Sequence, residues 1–279
     1  MPPAKRQPFV WGVVSLVATA LLVIWITDLA IHAAPLDDLT LGLLLRGRAP
    51  FRDLTLAEAL WTAVSRSAIL LGAAVAAAVA IGVGAGAAFA FSRSPLMRGP
   101  AWVVGTVGAS LPSFFWAMVL QLVVVIVYLR TGRLLAPVGG GFAVDAHLIL
   151  PAIALAMRPA AYIFRTTATA LEDARHAPHV VTAWAKGLGP LLVAQRHVGR
   201  NAAPAILAGI ALGAKTALSS LAIIEFVFTW NGAGYGFILA VATGNVAFAS
   251  AIALVFAVAL SLLGGLVAVA TRAVHVTSR

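Results

Sequence analysis

Long apolar stretches dominate the pattern of this chain, and its polar positions fall between them. Residues 9–27, 67–92 and 99–129 carry no charged side chain, 146–164 carries only Arg158, and 201–225 holds Lys215 and ends on Glu225. The run 226–271 is again uncharged. A helix rises about 1.5 Å per residue and the hydrocarbon core of a bilayer is about 30 Å thick, so about 20 apolar residues cross it. The pattern therefore predicts six spanning helices, at about 9–31, 63–92, 99–129, 146–166, 201–227 and 246–271. Lys5 and Arg6 precede the first run as they would in a signal peptide, but its length exceeds the roughly 7 to 15 apolar residues of such a segment. It is read as a retained helix. The expected fold class is all-α, a polytopic membrane protein forming one transmembrane domain over 1–279.

Composition sharpens this. Of the 279 residues 62% are hydrophobic and 10% charged, against about a quarter charged in soluble proteins, so the chain cannot clothe its helices for water. The absence of Cys excludes disulfide staples, thiolate metal sites and cysteine nucleophiles. A net charge of +10 would suggest nucleic acid in a soluble protein; here it reports orientation, and no nucleic-acid partner is expected. With both termini inside, eleven cations face the cytoplasm (Lys5, Arg6, Arg93, Arg98, Arg165, Arg175, Lys186, Arg196, Arg200, Arg272, Arg279). Five lie outside (Arg46, Arg48, Arg52, Arg130, Arg133), so the positive-inside bias favours an N-in, C-in topology.

The longest cytoplasmic segment is about 174–200. Gly187, Gly189 and Pro190 break it into two short helical pieces, opened by Pro178 and Pro190. Val180, Ala183 and Trp184 form an apolar stripe at i, i+3 and i+4 on a piece that cannot enter the membrane without stranding its flanking charges. Such a stripe needs a cover: the inner face of the chain's own bundle, the lipid surface, or another protein.

Ala183-Trp184-Ala185-Lys186-Gly187-Leu188, then Arg196-His197 and Asn201-Ala202-Ala203-Pro204, resembles the cytoplasmic signature loop of the membrane subunits of ABC importers, in their dipeptide/oligopeptide/nickel permease family. Leu111-Pro112-Ser113-Phe114 is similar to the family's S-L-P-S-F element, Leu150-Pro151-Ala152 opens the fourth span as in relatives, and Glu225 to Gly234 is similar to E-x-V-F-x-W-P-G-x-G. The resemblance runs from about Leu56 to the C-terminus. It departs in a shorter first outer loop, in Asn231 for the proline of W-P-G, and in Val181 where the broader signature has glutamate. It implies a type I importer transmembrane domain working by alternating access, whose cargo is a small solute, in most relatives a di- or oligopeptide, in others a nickel chelate. It implies that Val180, Val181, Ala183, Trp184, Ala185, Lys186, Gly187 and Leu188 couple to cytoplasmic ATPase subunits. A second, homologous permease chain and an external solute-binding protein are the other implied partners, beside the bilayer itself. ATP and Mg²⁺ would be held by the ATPase chains and no cofactor by this one.

The sequence offers little independent chemistry. Residues 209–216 imitate a phosphate-binding loop with the wrong spacing, inside the fifth span. His176 and His179 flank Pro178 with no third ligand near, and Ser, His and Asp form no nucleophile motif, so the chain is expected to be a transport subunit and not an enzyme. Charges at membrane depth usually face a cavity or a partner, which makes Arg158, Lys215 and Glu225 candidates for a translocation path. Ser110, Pro112, Ser113, Phe114 and Trp116, around a proline that invites a bend, are further path candidates, with plain packing as the alternative. Trp230, Asn231, Gly232 and Gly234 read as a flexible outer turn, a gate or receptor contact, with a plain turn as the alternative. The rival class is a channel or ion-coupled carrier working alone, which would need paired intramembrane carboxylates.

Overall fold

The computed structural model describes residue 21 and residues 55–92, 94–139 and 142–277. Apart from Leu21, the expected span at 9–31 lies outside the described residues, as does nearly all of the first outer loop. Among the described residues from 55 onward there are eight helices and no strand: α1 Leu56–Phe91, α2 Pro95–Ser110, α3 Ser113–Thr131, α4 Ala146–Arg175, α5 Pro178–Ala185, α6 Pro190–Val227, α7 Ala233–Thr243 and α8 Val246–Thr277. Five of these, α1, α3, α4, α6 and α8, are long and apolar enough to cross a membrane.

Local chemistry sets the ends. α1 opens with a reciprocal cap: the Glu58 N–H donates to the Thr55 hydroxyl oxygen at 3.3 Å and the Thr55 N–H donates to Glu58 Oε2 at 3.0 Å. Proline opens α2, α5 and α6 at their first turns, where its missing N–H costs nothing. Gly132, Gly187 and Gly244 stop α3, α5 and α7 with φ of 67°, 75° and 71°.

The stretch expected as one span at 99–129 is two helices. Leu111 and Pro112 are both extended (ψ 138° and 149°), because proline offers no N–H to the preceding turn and pushes the residue before it out of the helical region. α4, by contrast, runs unbroken through Pro151 and Pro159. It does so from the middle of the bundle. In its most apolar window 56% of residues are buried, against 11% for α3.

What brings neighbours onto α4 is a lack of side chain. α1 presents Ala59, Ala63, Ser67, Ala74, Ala78, Gly82, Gly86 and Ala90 as a buried small-residue stripe. A Cβ on Gly82 would lie 2.7 Å from Ile163 Cβ, and one on Gly86 2.7 Å from Thr167 Cβ. From the other side, Gly209 and Gly213 of α6 would meet Thr166 at 2.8 Å and Ile163 at 3.0 Å. The two glycine pairs visible in the sequence thus clamp the same face-to-face pair of turns, with Ile163 fully buried between them.

α7 is the element the sequence reading missed. Eleven residues give about 16 Å of helix, too short to cross the membrane, and α7 packs through Ala233 and Ala240 into a cluster with Leu56, Ala59, Phe248 and Ile252.

Candidate functional site

At the C-terminal end of α4 the chain turns at His176 into α5, whose two faces differ. Val180 and Ala183 are buried (1% and 3% exposed) in a cluster with Ala90, Leu171, Ala174, Val193, Val198 and Ala202. Val181 and Trp184 are 60% and 50% exposed, and Ala185, Lys186 and Gly187 are exposed beside them, with Leu188 half-buried. The stripe read from the sequence therefore divides. Val180 and Ala183 lie against the chain's own helices and cannot belong to an outer contact surface; Trp184 and Val181 form the uncovered side. Within the first part of α6, residues Val193–Gly199 form a π-helical stretch, a wide winding often found at functional sites, which carries Arg196 and His197. This end is braced by Arg175, which donates to the Ala90 carbonyl and lies over the Phe91 ring at 5.4 Å.

The opposite end of α6 closes on itself. Glu225 is fully buried; the Ser67 hydroxyl donates to its Oε1 at 2.5 Å and the Tyr235 N–H donates to its Oε2 at 3.0 Å. Ser67 in turn accepts from the Ala233 N–H at 2.7 Å. One carboxyl group and one hydroxyl thereby satisfy free N–H groups at the start of α7, where negative charge is favoured. The Trp230 indole N–H donates to the Arg66 carbonyl at 3.1 Å, its ring meets Phe142 edge-on at 5.0 Å, and the Arg66 guanidinium lies 4.9 Å over Phe142. Gly232 and Gly234 have no room for a Cβ: one would strike Glu225 and Ser67, the other the backbone of Ala222.

The outer turn expected to be flexible is thus pinned. Trp230, Gly232 and Gly234 are buried and only Asn231 is exposed. It is also strained, since Thr229 sits at φ 52°, a region β-branched residues avoid. The Trp230 N–H to Glu225 carbonyl and Thr229 N–H to Phe226 carbonyl bonds, 2.8 and 3.2 Å, make this a Schellman ending with threonine where glycine is usual.

The remaining path candidates separate by what they touch. Glu225 is buried and engaged by Ser67 and Tyr235. Arg158 donates from Nε to the Ala109 carbonyl at 3.3 Å, satisfying a carbonyl released by the α2–α3 break. Ser113, buried, bonds Ser220 of α6 at 3.0 Å, while the Ser110 hydroxyl returns to the Thr106 carbonyl at 2.9 Å. Ser110, Pro112 and Phe114 are exposed. Trp116 borders an apolar cavity and its indole N–H has no partner among the described residues. Lys215, half-buried, has no hydrogen-bonding or ion-pair partner among the described residues and extends toward Gly264 of α8. No group of three or more His, Asp or Glu that could hold a metal occurs among the described residues.

Residues 78–275 match the model of the binding-protein-dependent transport system inner membrane component family. The chain belongs to this family. As an inner membrane component with five apolar spans among its described residues, it is a multi-pass protein of the cytoplasmic membrane. It is 33% identical to the Di/tripeptide transport system permease protein DppB of Pseudomonas aeruginosa, over 47% of this chain and 46% of that one. To the Dipeptide transport system permease protein DppB of Escherichia coli it is 31% identical over 46% and 45%. The Putrescine export system permease protein SapB of Escherichia coli is 32% identical over 32% of this chain and 27% of its own. The chain spans about half the length of the first two relatives or less. The family shown, the binding-protein-dependent transport system inner membrane component, is the broad family expected from the loop and turn motifs.

Sequence reasoning missed Ser67, Arg66 and Phe142 as partners of the outer turn. Ser67 shares the small-residue spacing of Ala59, Ala63, Ala74 and Ala78, so it reads as packing; its hydroxyl acquires meaning only beside Glu225, 158 residues away.

Proposed function

We propose that this chain is one permease subunit of an ATP-driven importer that carries a small solute, a di- or oligopeptide, by alternating access. The observation that carries the reading is the uncovered side of α5: Trp184 and Val181, held outward by a helix whose other side is anchored through Val180 and Ala183. An exposed tryptophan on a rigid mount beside exposed Lys186 is the chemistry of an interface anchor with a polar rim. A cytoplasmic ATPase subunit docks there, and its movement passes through α5 and the π-turn into α4 and α6. ATP and Mg²⁺ belong to that subunit, this chain being a non-catalytic transport component.

The remaining parts of the proposal are a sixth span at 9–31, both termini inside, a second homologous permease chain that completes the path, and an external solute-binding protein that delivers cargo. Lys215, Phe114 and the Ser110–Pro112 break are the path residues retained. Glu225 and the Trp230–Gly234 turn serve instead as an outer clasp. The one buried carboxylate among the described residues is fully engaged, which favours this reading over an ion-coupled carrier.

The test is reconstitution. The chain, co-expressed with a second permease chain and ATPase subunits, should co-purify with the ATPase and show peptide-stimulated hydrolysis in liposomes containing the binding protein. Trp184→Glu should abolish the association. Uptake by the isolated chain under an ion gradient would overturn the proposal.

A further inference from the structure

Between α1, α2 and α4 lies an apolar cavity of about 270 Å³, open sideways between Ile81, Val104 and Ile153, which are 59%, 70% and 40% exposed. Along α4 its wall runs from Ile153 to Phe164, about 16 Å. Its lining, apolar throughout, suits a hydrocarbon chain.

Its Phe164 end is charged. Arg165 Cγ would lie 3.7 Å from a Cβ placed on Gly105, a wall residue, and its guanidinium lies 5.4 Å over the Trp102 ring. Beside it Arg98 lies 4.9 Å over Phe89 and is paired with Glu172. That pairing consumes the nearby carboxylate, and among the described residues no acidic side chain pairs with Arg165. The mouth therefore carries a net positive charge next to an indole, the combination found at the headgroup level of a bilayer.

We propose that this groove is a binding site for one anionic phospholipid, its acyl chain along α4 from Phe164 toward Ile153 and its phosphate accepting hydrogen bonds from Arg165. A basic pocket between spanning helices on the cytoplasmic side recognises anionic headgroups through charge complementarity; placing Arg165 on that side rests on the orientation proposed above.

The experiment uses the full-length chain in mild detergent and in nanodiscs of phosphatidylglycerol or phosphatidylcholine. Native mass spectrometry should show one phosphatidylglycerol retained where other lipids are stripped, and phosphatidylglycerol nanodiscs should raise the Tm above that in phosphatidylcholine. Arg165→Gln should lower retention about fivefold and erase the Tm difference while leaving the Tm in phosphatidylcholine unchanged; Arg165→Lys should restore part of both. Ala85→Leu, an exposed wall position, should fill the groove and expel the lipid. Equal retention by Arg165→Gln and the unaltered chain, or equal retention of phosphatidylcholine, would overturn the proposal. Loss of a second permease chain from Ala85→Leu with lipid still bound would do so too, making the groove a protein interface. A cysteine at Arg196 labelled from outside would defeat the proposed orientation and function, while selective retention would still stand.

Discussion

The two ends of α6 answer the same problem in opposite ways. Each has to return the chain from a spanning helix, and each does so through glycine, proline or strained backbone with a tryptophan close by. At the far end Trp230 is 1% exposed, and its indole N–H, Glu225 and Ser67 all have partners in α1, α6 or α7. At the α5 end Trp184 is 50% exposed, on a helix anchored by only two of its residues. An end whose bonds are closed within one chain holds shape; an end left half-covered on a firm footing is shaped for something else. The Trp230 turn is closed within the chain; the Trp184 hairpin keeps one side uncovered, the side at which docking is proposed.

Mutations that add bulk to the outer turn should break this contrast most. Gly234→Val would drive a side chain into the Ala222 backbone and should cost about 3 kcal/mol, read as a lowered Tm in detergent or as failure to accumulate in the membrane. Ser67→Ala removes a donor from Glu225 and an acceptor from Ala233, leaving two buried groups short; a loss of about 2 kcal/mol is expected, with α7 the first segment to gain hydrogen exchange. Thr229→Gly runs the other way. It releases the left-handed threonine and should raise stability by about 1 kcal/mol; no gain in Tm would mean the turn tolerates its strain through contacts glycine cannot make.

At the Trp184 hairpin, stability and function should separate. Trp184→Glu touches an exposed side chain, so Tm should move by less than about 0.5 kcal/mol-equivalent while ATPase association is lost. Equal losses in both would erase the distinction between the two ends. The smallest effect is electrostatic. Asp145 caps α4, and the backbone N–H and ring of His147 hold its carboxyl below the usual carboxylate range. A depressed carboxyl contributes stability that is complete above the ordinary aspartate range and fades as pH falls through the lowered value. The acid limb of a Tm-against-pH curve should therefore flatten in Asp145→Ala.

Much of this was legible in one dimension, and the reasons are physical. Apolar runs announce spans because lipid tolerates little else, and Gly82, Gly86, Gly209 and Gly213 announced close approach because only a missing Cβ allows it. Pro112 announced a disturbance but not its size: Pro159 disturbs nothing visible within the same chain, since α4 is held on several sides. The outer clasp was illegible because its meaning lies in a pair 158 residues apart. α7 hid inside a continuous apolar run whose composition does not distinguish a crossing helix from a short one lodged against it. For α5 the periodicity found the apolar positions, but whether a stripe faces home or outward is a matter of three-dimensional neighbours.

Ile163 has glycine backbone on either flank, Gly82 at one side and Gly213 at the other. Bearings made this way have no clearance: α1 and α6 cannot drift apart from α4 without opening a void, nor press closer without collision. If the Trp184 hairpin is driven as proposed, a stroke there would swing the three rods as one piece, and the slack for transport would reside elsewhere, in the α2–α3 elbow or at the boundary with the proposed second subunit.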